Sequence, residues 1–317
     1  MTSSDSSRPK GRRRRGEQPM VPRAEFESYY GRPVIKAPAW SAQDIAGYFF
    51  LGGLAGAGSV LAAGAHLTGR PRTATALKIS SLTAVSLSAA ALIHDLGRPS
   101  RFPNMLRVFK PTSPMSVGSW LLSAYAPAAG AAAASAVTGR LPRVGATATG
   151  AAALLGPAVA TYTAVLAADT AVPAWHGVHR ELPYLFAASA TAAAAGMALV
   201  TGPTSENAAA RWAAGSAALA DLAITEAVER RLGPVAETYR EGRAGTLLRT
   251  ARALTAVGAL GGALLGGRHR TASALSGLAL LAGSACTRFG VFAAGIASAE
   301  DPKYTVVPQR ERVEQRQ

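Results

Sequence analysis

The chain has few of the residues that stabilise and solubilise an ordinary globular domain. Only 16% of its 317 residues are charged and 6% are aromatic, and Cys286 is its single cysteine. A typical soluble domain carries about 25% charged residues. One thiol cannot form an internal disulfide, complete a four-cysteine zinc site or hold an iron-sulfur cluster, so we expect no metal site and no iron-sulfur cluster within this chain.

The charged residues are also unevenly placed. They crowd the first forty residues, the last fifteen and a series of connectors, and the stretches between are rich in Ala, Leu, Gly and Val. Apolar blocks of about 20 residues match the ~30 Å hydrocarbon core of a bilayer. We predict an all-α membrane protein with eight transmembrane helices, near residues 44–68, 74–95, 116–138, 145–169, 182–201, 208–229, 246–266 and 271–296.

Glycine, threonine and basic residues separate alternate helices. Thr68-Gly69-Arg70 and Thr138-Gly139-Arg140 are two such connectors, and glycine just past a helix end is a stop signal. The short links predict antiparallel hairpins arranged as two four-helix bundles. We divide the chain into a basic, largely disordered segment (1–42), a transmembrane domain (43–297) and a polar carboxy-terminal tail (298–317).

The excess of basic residues bears on the membrane orientation rather than on nucleic acid. The net charge is +15, but the basic residues border apolar runs and do not interleave with aromatics. An even number of spans puts both termini on one side. Nine Lys and Arg in the connectors, nine in the amino-terminal segment and four in the tail lie on that side, against seven opposite, with Lys78 counted among the seven. This predicts a multi-pass protein of the cell (inner or plasma) membrane with both termini in the cytoplasm and no nucleic-acid partner.

Ionisable residues inside spans are costly, so each is a functional candidate. The candidates are His94, Asp95, Asp169, Asp221, Glu226 and Arg288. At a rise of about 1.5 Å per residue, every candidate except Asp221 is expected within about 10 Å of the surface that carries the termini. We consider Asp95, Asp169, Asp221 and Glu226 as proton-transfer groups. A structural ion pair between Glu226 and Arg288 and a capping role for Asp95 are the alternatives.

Tyr162 lies seven residues before Asp169 on the same predicted helix, about 10 Å deeper. An apolar slot with a hydroxyl donor and a proton-accepting carboxylate suits a quinone. Haem is not expected, because a b-type haem needs two histidines at one depth within the spans. His66 and His269 are predicted at one surface, and the other three histidines lie at or beyond the other surface.

Three sequence motifs stand out in the first half of the chain. The motifs are Tyr48-Phe49-Phe50-Leu51-Gly52-Gly53-Leu54-Ala55-Gly56, His94-Asp95-Leu96-Gly97-Arg98-Pro99-Ser100-Arg101-Phe102 and Ser113-Pro114-Met115-Ser116-Val117-Gly118-Ser119-Trp120. Together they resemble the NrfD/PsrC family, the membrane subunits of polysulfide-reductase-like complexes. The most specific part of the resemblance is Asp95-Leu96-Gly97-Arg98-Pro99 followed by Ser113-Pro114-Met115-Ser116.

The resemblance implies eight helices and a quinone, either menaquinone or ubiquinone, bound in the first four-helix bundle. Tyr162 matches a quinone-contacting tyrosine of the fourth helix, and we add His94, Asp95 and Arg98 to this predicted site. The resemblance also implies two partners, a ferredoxin-like iron-sulfur subunit and a molybdopterin catalytic subunit. The predicted docking residues for the iron-sulfur subunit are Arg98, Arg101, Arg107 and Lys110.

Two other functions remain open on the sequence. In a secondary transporter or proton channel, the intramembrane carboxylates would line a substrate path, although transporter sites are expected near the midplane. A purely structural anchor for a soluble enzyme would bind no quinone. The quinone hypothesis describes an electron-transfer subunit that is not an enzyme on its own, and the ultimate electron donor or acceptor stays open.

Overall fold

The computed structural model describes residues 34–314, without the side chains of residues 311–313. The predicted disorder of residues 1–33 therefore lies outside the described residues. The described part contains eleven α-helices joined by turns: α1 (Gly47–Leu67), α2 (Pro71–Asp95), α3 (Pro114–Thr138), α4 (Pro142–Ala168), α5 (Pro173–His176), α6 (Leu182–Thr201), α7 (Ala208–Leu232), α8 (Glu237–Arg240), α9 (Gly242–Leu264), α10 (Arg270–Glu300) and α11 (Lys303–Glu314).

Six of the helices are long and apolar enough to cross a membrane. They are α1, extended by a π-helical turn at Ala42–Ala46, and α2, α3, α4, α6 and α10. Two further long helices, α7 and α9, coincide with the sixth and seventh predicted segments but are not among these six. α7 carries six charged residues in its 25, and α9 carries three arginines.

The long helices pack in two groups. In the first, α1 packs on α2 and α4, and α3 packs on α4 and α2; in the second, α6 and α9 each pack on α7 and α10. The groups meet mainly where α6 packs against α1 and α4. Small residues permit this close packing. A β-carbon at Gly56 of α1 or Gly156 of α4 would collide with the carbonyl oxygen of the other glycine.

Hydrogen bonds between elements define two ends of the molecule. At the terminal end, where α1 begins and α10 ends, the amide of Ser41 donates to Asp95 at 3.2 Å and the amide of Ala174 donates to Ser298 at 3.2 Å. At the far end, the amide of Thr73 donates to Glu206 at 2.8 Å. The end of α2 therefore lies beside the segment that precedes α1, the end of α10 lies beside α5, and the start of α2 lies beside the turn Thr204–Glu206.

The ends of the helices follow local sequence signals. The Ser113 hydroxyl accepts a hydrogen bond from the amide of Ser116, and Pro114 occupies the first turn of α3. Gly139 ends α3 at a φ of 66°, the left-handed conformation in which glycine is favoured. The predicted stop at Thr138-Gly139-Arg140 is therefore present.

The predicted polar tail contains a helix that the sequence analysis did not anticipate. α10 continues to Glu300, four residues past the predicted span, and α11 follows after a turn. Lys303 Nζ lies 2.8 Å from Glu237 Oε2, and the Tyr304 hydroxyl donates to the same oxygen at 3.2 Å. These contacts hold α11 against α8.

Candidate functional site

A cavity of about 540 Å³ lies at the terminal end, between α3, α4 and the connector that follows α4. Its volume is within the usual range of small-molecule sites, about 300–1,000 Å³. Apolar residues of α3 and α4 form most of its wall, and the connector supplies polar groups. The lining residues are Pro111, Thr112, Pro114, Val117, Tyr162, Val165, Ala168, Asp169, His176 and His179.

Tyr162 lines this cavity and carries a buried hydrogen-bond donor. The residue is only 8% exposed, and its hydroxyl has no hydrogen-bond partner among residues 34–314. Its ring meets the Tyr48 ring edge-on, with centroids 6.1 Å apart. The ring also packs directly on Gly118 of α3, where a β-carbon would collide with it. Packing therefore fixes the ring. A ligand that accepts a hydrogen bond from this buried hydroxyl binds more favourably, because the hydroxyl otherwise has no partner.

Three titratable groups stand at the terminal end of the cavity. Asp169, immediately after α4, is exposed. His176 Nδ1 lies 3.0 Å from the carbonyl oxygen of Ala168, and His179 Nδ1 lies 3.0 Å from that of His176. A carbonyl oxygen only accepts, so both bonds assign the proton to Nδ1 and leave Nε2 of each neutral ring as an acceptor. The two rings are stacked with centroids 5.6 Å apart.

His176 and His179 were not predicted as site residues and were considered only as unsuitable haem ligands. The available signal was the pair of histidines three residues apart in the connector between the predicted segments 145–169 and 182–201. Together with Tyr162 and Asp169, they provide one donor, one carboxylate and two imidazoles around an apolar space, which is suitable for a planar ligand with polar carbonyl groups.

The other predicted quinone-binding residues lie elsewhere. His94 Nδ1 is 3.0 Å from Asp44 Oδ2, and Asp95 accepts the amide of Ser41. These two bonds join the end of α2 to the segment that precedes α1. None of His94, Asp95 and Arg98 is among the residues that line the cavity. The residues were predicted as one pocket from depth alone, and depth does not specify which helices are neighbours.

The predicted ion pair between Glu226 and Arg288 is wrong. Glu226 is exposed and accepts a hydrogen bond at 2.9 Å from Arg230, one turn along α7. Asp221 is the buried carboxylate of α7, and Arg252 and Arg288 are the cations that act on it electrostatically. Glu226 follows Asp221 by five residues, or about 140° around the helix, so the two side chains face different directions.

Arg288 is completely buried where the two helix groups meet. Its Nη2 donates to the carbonyl oxygen of Phe186 at 2.6 Å, and its guanidinium lies 3.7 Å from the centre of the Phe186 ring. A β-carbon at Gly53 of α1 would approach Nη2 to 2.9 Å. Its Nε and Nη1 have no partner within residues 34–314. The buried charge is therefore held by one carbonyl, one aromatic face and the field of Asp221.

The predicted docking residues form an exposed basic surface. Arg101 lies in the 3₁₀ turn Pro99–Leu106, Arg98 precedes this turn, and Arg107 and Lys110 follow it. All four side chains are exposed at the terminal end. The turn contains no buried residue, so the segment is available to an acidic partner.

Lys78 was assigned to a connector in the sequence analysis, and this was wrong. It lies in the second turn of α2, is 7% exposed and faces the middle of the first helix group. It lines a space of about 10 Å³, room for one water molecule, with Ser59, Ser81 and Thr149. No carboxylate of residues 34–314 lies within ion-pair distance of it. Its position inside the predicted span 74–95 was the available signal.

Comparison with known protein families gives one match for this chain. Residues 38–211 match the model of the family described as Polysulphide reductase, NrfD. The matched range contains Tyr162, Asp169, His176 and His179, so the entire cavity falls within it. No curated protein matches the chain.

Proposed function

The chain belongs to the NrfD family of membrane subunits of polysulfide-reductase-like complexes, and from this premise we propose that it binds a membrane quinone in the Tyr162 cavity. It exchanges electrons between that quinone and an iron-sulfur partner at the terminal end. The six apolar helices and the family together identify a multi-pass membrane protein.

The observation that carries the proposal is the unpaired Tyr162 hydroxyl in an apolar cavity. A quinone carbonyl accepts hydrogen bonds, and its ring and tail need an apolar slot. The Tyr162 ring is fixed by Tyr48 and Gly118, so the hydroxyl donates without much loss of side-chain freedom. A bound quinone thus satisfies a buried donor that has no partner within the described chain.

Proton transfer is the second requirement, because reduction of a quinone to a quinol takes up two electrons and two protons. In this proposal the two electrons come from, or return to, the partner's cluster. Asp169 and the Nε2 atoms of His176 and His179 exchange the protons with water at the terminal surface. Asp221 lies in the second helix group and Glu226 on an exposed face, so neither is included in this route.

For the membrane arrangement, we propose that α7 and α9 complete eight spans. Their 25 and 23 residues correspond to roughly 35 Å of helix, enough for a ~30 Å core, and both pack against apolar neighbours. Eight spans place both termini on one side, and the excess of basic residues on that side favours the cytoplasm. The exposed basic surface of Arg98, Arg101, Arg107 and Lys110 binds the ferredoxin-like iron-sulfur subunit, which connects to a molybdopterin subunit.

The test is Tyr162→Phe in the assembled complex, measured as quinone-dependent electron transfer. The variant keeps the ring packing and removes only the hydroxyl, so normal assembly and about a tenfold loss of turnover are expected, equivalent to one hydrogen bond. Tyr184→Phe is the matched control, because Tyr184 is exposed on α6. Asp169→Asn is expected to slow proton uptake with the quinone still bound.

Three outcomes contradict the proposal. Unchanged turnover in Tyr162→Phe places the quinone elsewhere. If no quinone analogue binds the purified complex, the chain acts as a purely structural anchor. Proton or solute flux through vesicles that contain the chain without its partners supports the transporter or channel.

A further inference from the structure

A second cavity lies on the side of the molecule, where α1 and α2 of the first helix group face α6 and α10 of the second. It is a groove of about 640 Å³. Residues from all four helices line it, among them Leu54, Ala76, Thr83, Met197, Thr201 and Leu281. Apart from a few hydroxyls, its walls are aliphatic and aromatic. It shares no lining residue with the Tyr162 cavity.

The groove extends along much of the helix bundle. Thr201 is the last residue of α6, and Ala76 lies near the start of α2, so the groove reaches the far end. Along α2 it extends from Ala76 to Leu87, eleven residues or about 16 Å, and along α1 it continues to Phe50 in the first turn of that helix. The groove is therefore longer than the ~15 Å depth of one bilayer leaflet, and an acyl chain has room along its length.

Two arginines lie at the open end of the groove. Arg72 is exposed and precedes Ala76 by four residues, so the two share a face of α2. Arg270 donates to the carbonyl oxygens of Leu199 and Val200, next to the groove residue Thr201. Glu206, the carboxylate near this end, accepts the amide of Thr73. The mouth thus carries exposed positive charge at the level of the headgroups.

We propose that this groove binds an anionic glycerophospholipid, with one acyl chain between the two helix groups and its phosphate at Arg72 and Arg270. A neutral hydrocarbon would match the apolar walls but not the positively charged mouth. An anionic phospholipid matches both, because its acyl chain packs on the walls and its phosphate pairs with arginine through charge-assisted hydrogen bonds. The lipid fills the groove between the two helix groups. Its binding there does not depend on the quinone proposal.

The test is native mass spectrometry of the purified full chain, titrated with phosphatidylglycerol or phosphatidylcholine of the same acyl chains. One phosphatidylglycerol is expected to bind about tenfold more tightly than phosphatidylcholine, and Arg72→Gln is expected to remove most of that difference. Arg143→Gln is the matched control, an exposed arginine at the far end on α4, outside the groove.

A second variant tests the acyl-chain slot. Ala76→Trp fills the groove beneath the mouth and is expected to abolish tight binding of both lipids, with a melting temperature that shows the fold is kept. Equal affinity for the two lipids, or Arg72→Gln with undiminished preference, overturns the proposal. Retention of a quinone in place of phospholipid, lost in Ala76→Trp, overturns it as well.

Discussion

Gly118 of α3 lies directly against the ring of Tyr162 of α4, so closely that residue 118 has no space for a β-carbon. The contact joins the segment that follows Ser113-Pro114 to Tyr162, which lines the cavity and whose buried hydroxyl has no partner within residues 34–314. The position of the donor therefore depends on a glycine in the neighbouring helix.

We expect Gly118→Ala to displace the Tyr162 ring. Overpacking of this kind costs about 1–3 kcal/mol, and a shift of about 1 Å in a positioning group lowers turnover by as much as 10²-fold. Gly130→Ala on the same helix is the control, since its β-carbon would meet only Leu82 at 3.8 Å. Quinone-dependent turnover and thermal unfolding of both variants check this. Equal behaviour of the two would show that the ring contact does not position the hydroxyl.

Replacement of Lys78 by methionine is expected to stabilise the protein. The ammonium is buried in the first helix group with no carboxylate of residues 34–314 in ion-pair distance, whereas methionine has similar length and no charge. Relief of such a buried charge is worth about 1 kcal/mol or more. Unfolding in mixed micelles measures the change, with Arg143→Met, at an exposed position on α4, as control. Destabilisation would mean that Lys78 binds a partner such as an ordered water.

Asp221 and Arg288 are expected to be coupled energetically. Both side chains are buried, and Arg288→Met removes one of the two cations that act electrostatically on the Asp221 carboxylate, so we expect it to lower the free energy of unfolding. The double variant Arg288→Met with Asp221→Asn also lacks the remaining charge. Its loss in the free energy of unfolding should therefore be smaller than the sum of the losses of the two single variants, by about 1 kcal/mol or more.

The control for this cycle is the exposed pair of Glu226 and Arg230 on the same helix. Its neutralisation to glutamine is expected to change stability by no more than about 0.5 kcal/mol. Additive losses for Asp221 and Arg288 would show that the two charges act independently.

The docking of α11 on α8 is expected to depend on pH. Hydrogen bonds from Lys303 and then Tyr304 lower the pKa of Glu237, and the bond to Glu237 raises the pKa of Lys303. The carboxyl contribution is present above its ordinary pKa of 4.5 and is lost as the pH falls through the lowered value. The ammonium contribution is present below 10.5 and is lost as the pH rises through the raised value.

Hydrogen exchange of α11 measures this dependence. We expect slow exchange at about pH 7 and faster exchange at about pH 3, after correction for the intrinsic rate. Glu237→Gln should exchange fast at both pH values, and Glu226→Gln should behave as the unmodified chain. Exchange in α11 that does not change with pH would mean that its docking rests on apolar contacts.

Local composition was sufficient to predict the six long apolar helices. Their lengths follow from the apolar runs, and their ends follow from signals such as Pro114 and Gly139, which act within a few residues. Tyr162 and Asp169 were predicted seven residues apart, and both line the same cavity. The family resemblance, drawn from motifs such as Asp95-Leu96-Gly97-Arg98-Pro99, is confirmed by the family match.

What the sequence by itself determined is where the long helices begin and end, to within about four residues, because those limits depend on distance along one chain. Only the tertiary structure decided how each helix is turned about its axis and which helices are neighbours. Those choices are set by close contacts such as Gly118 with Tyr162, which pair residues far apart in the chain. They separate His94 and Asp95 from the cavity, bring His176 and His179 to it, turn Lys78 inward and leave Glu226 outside.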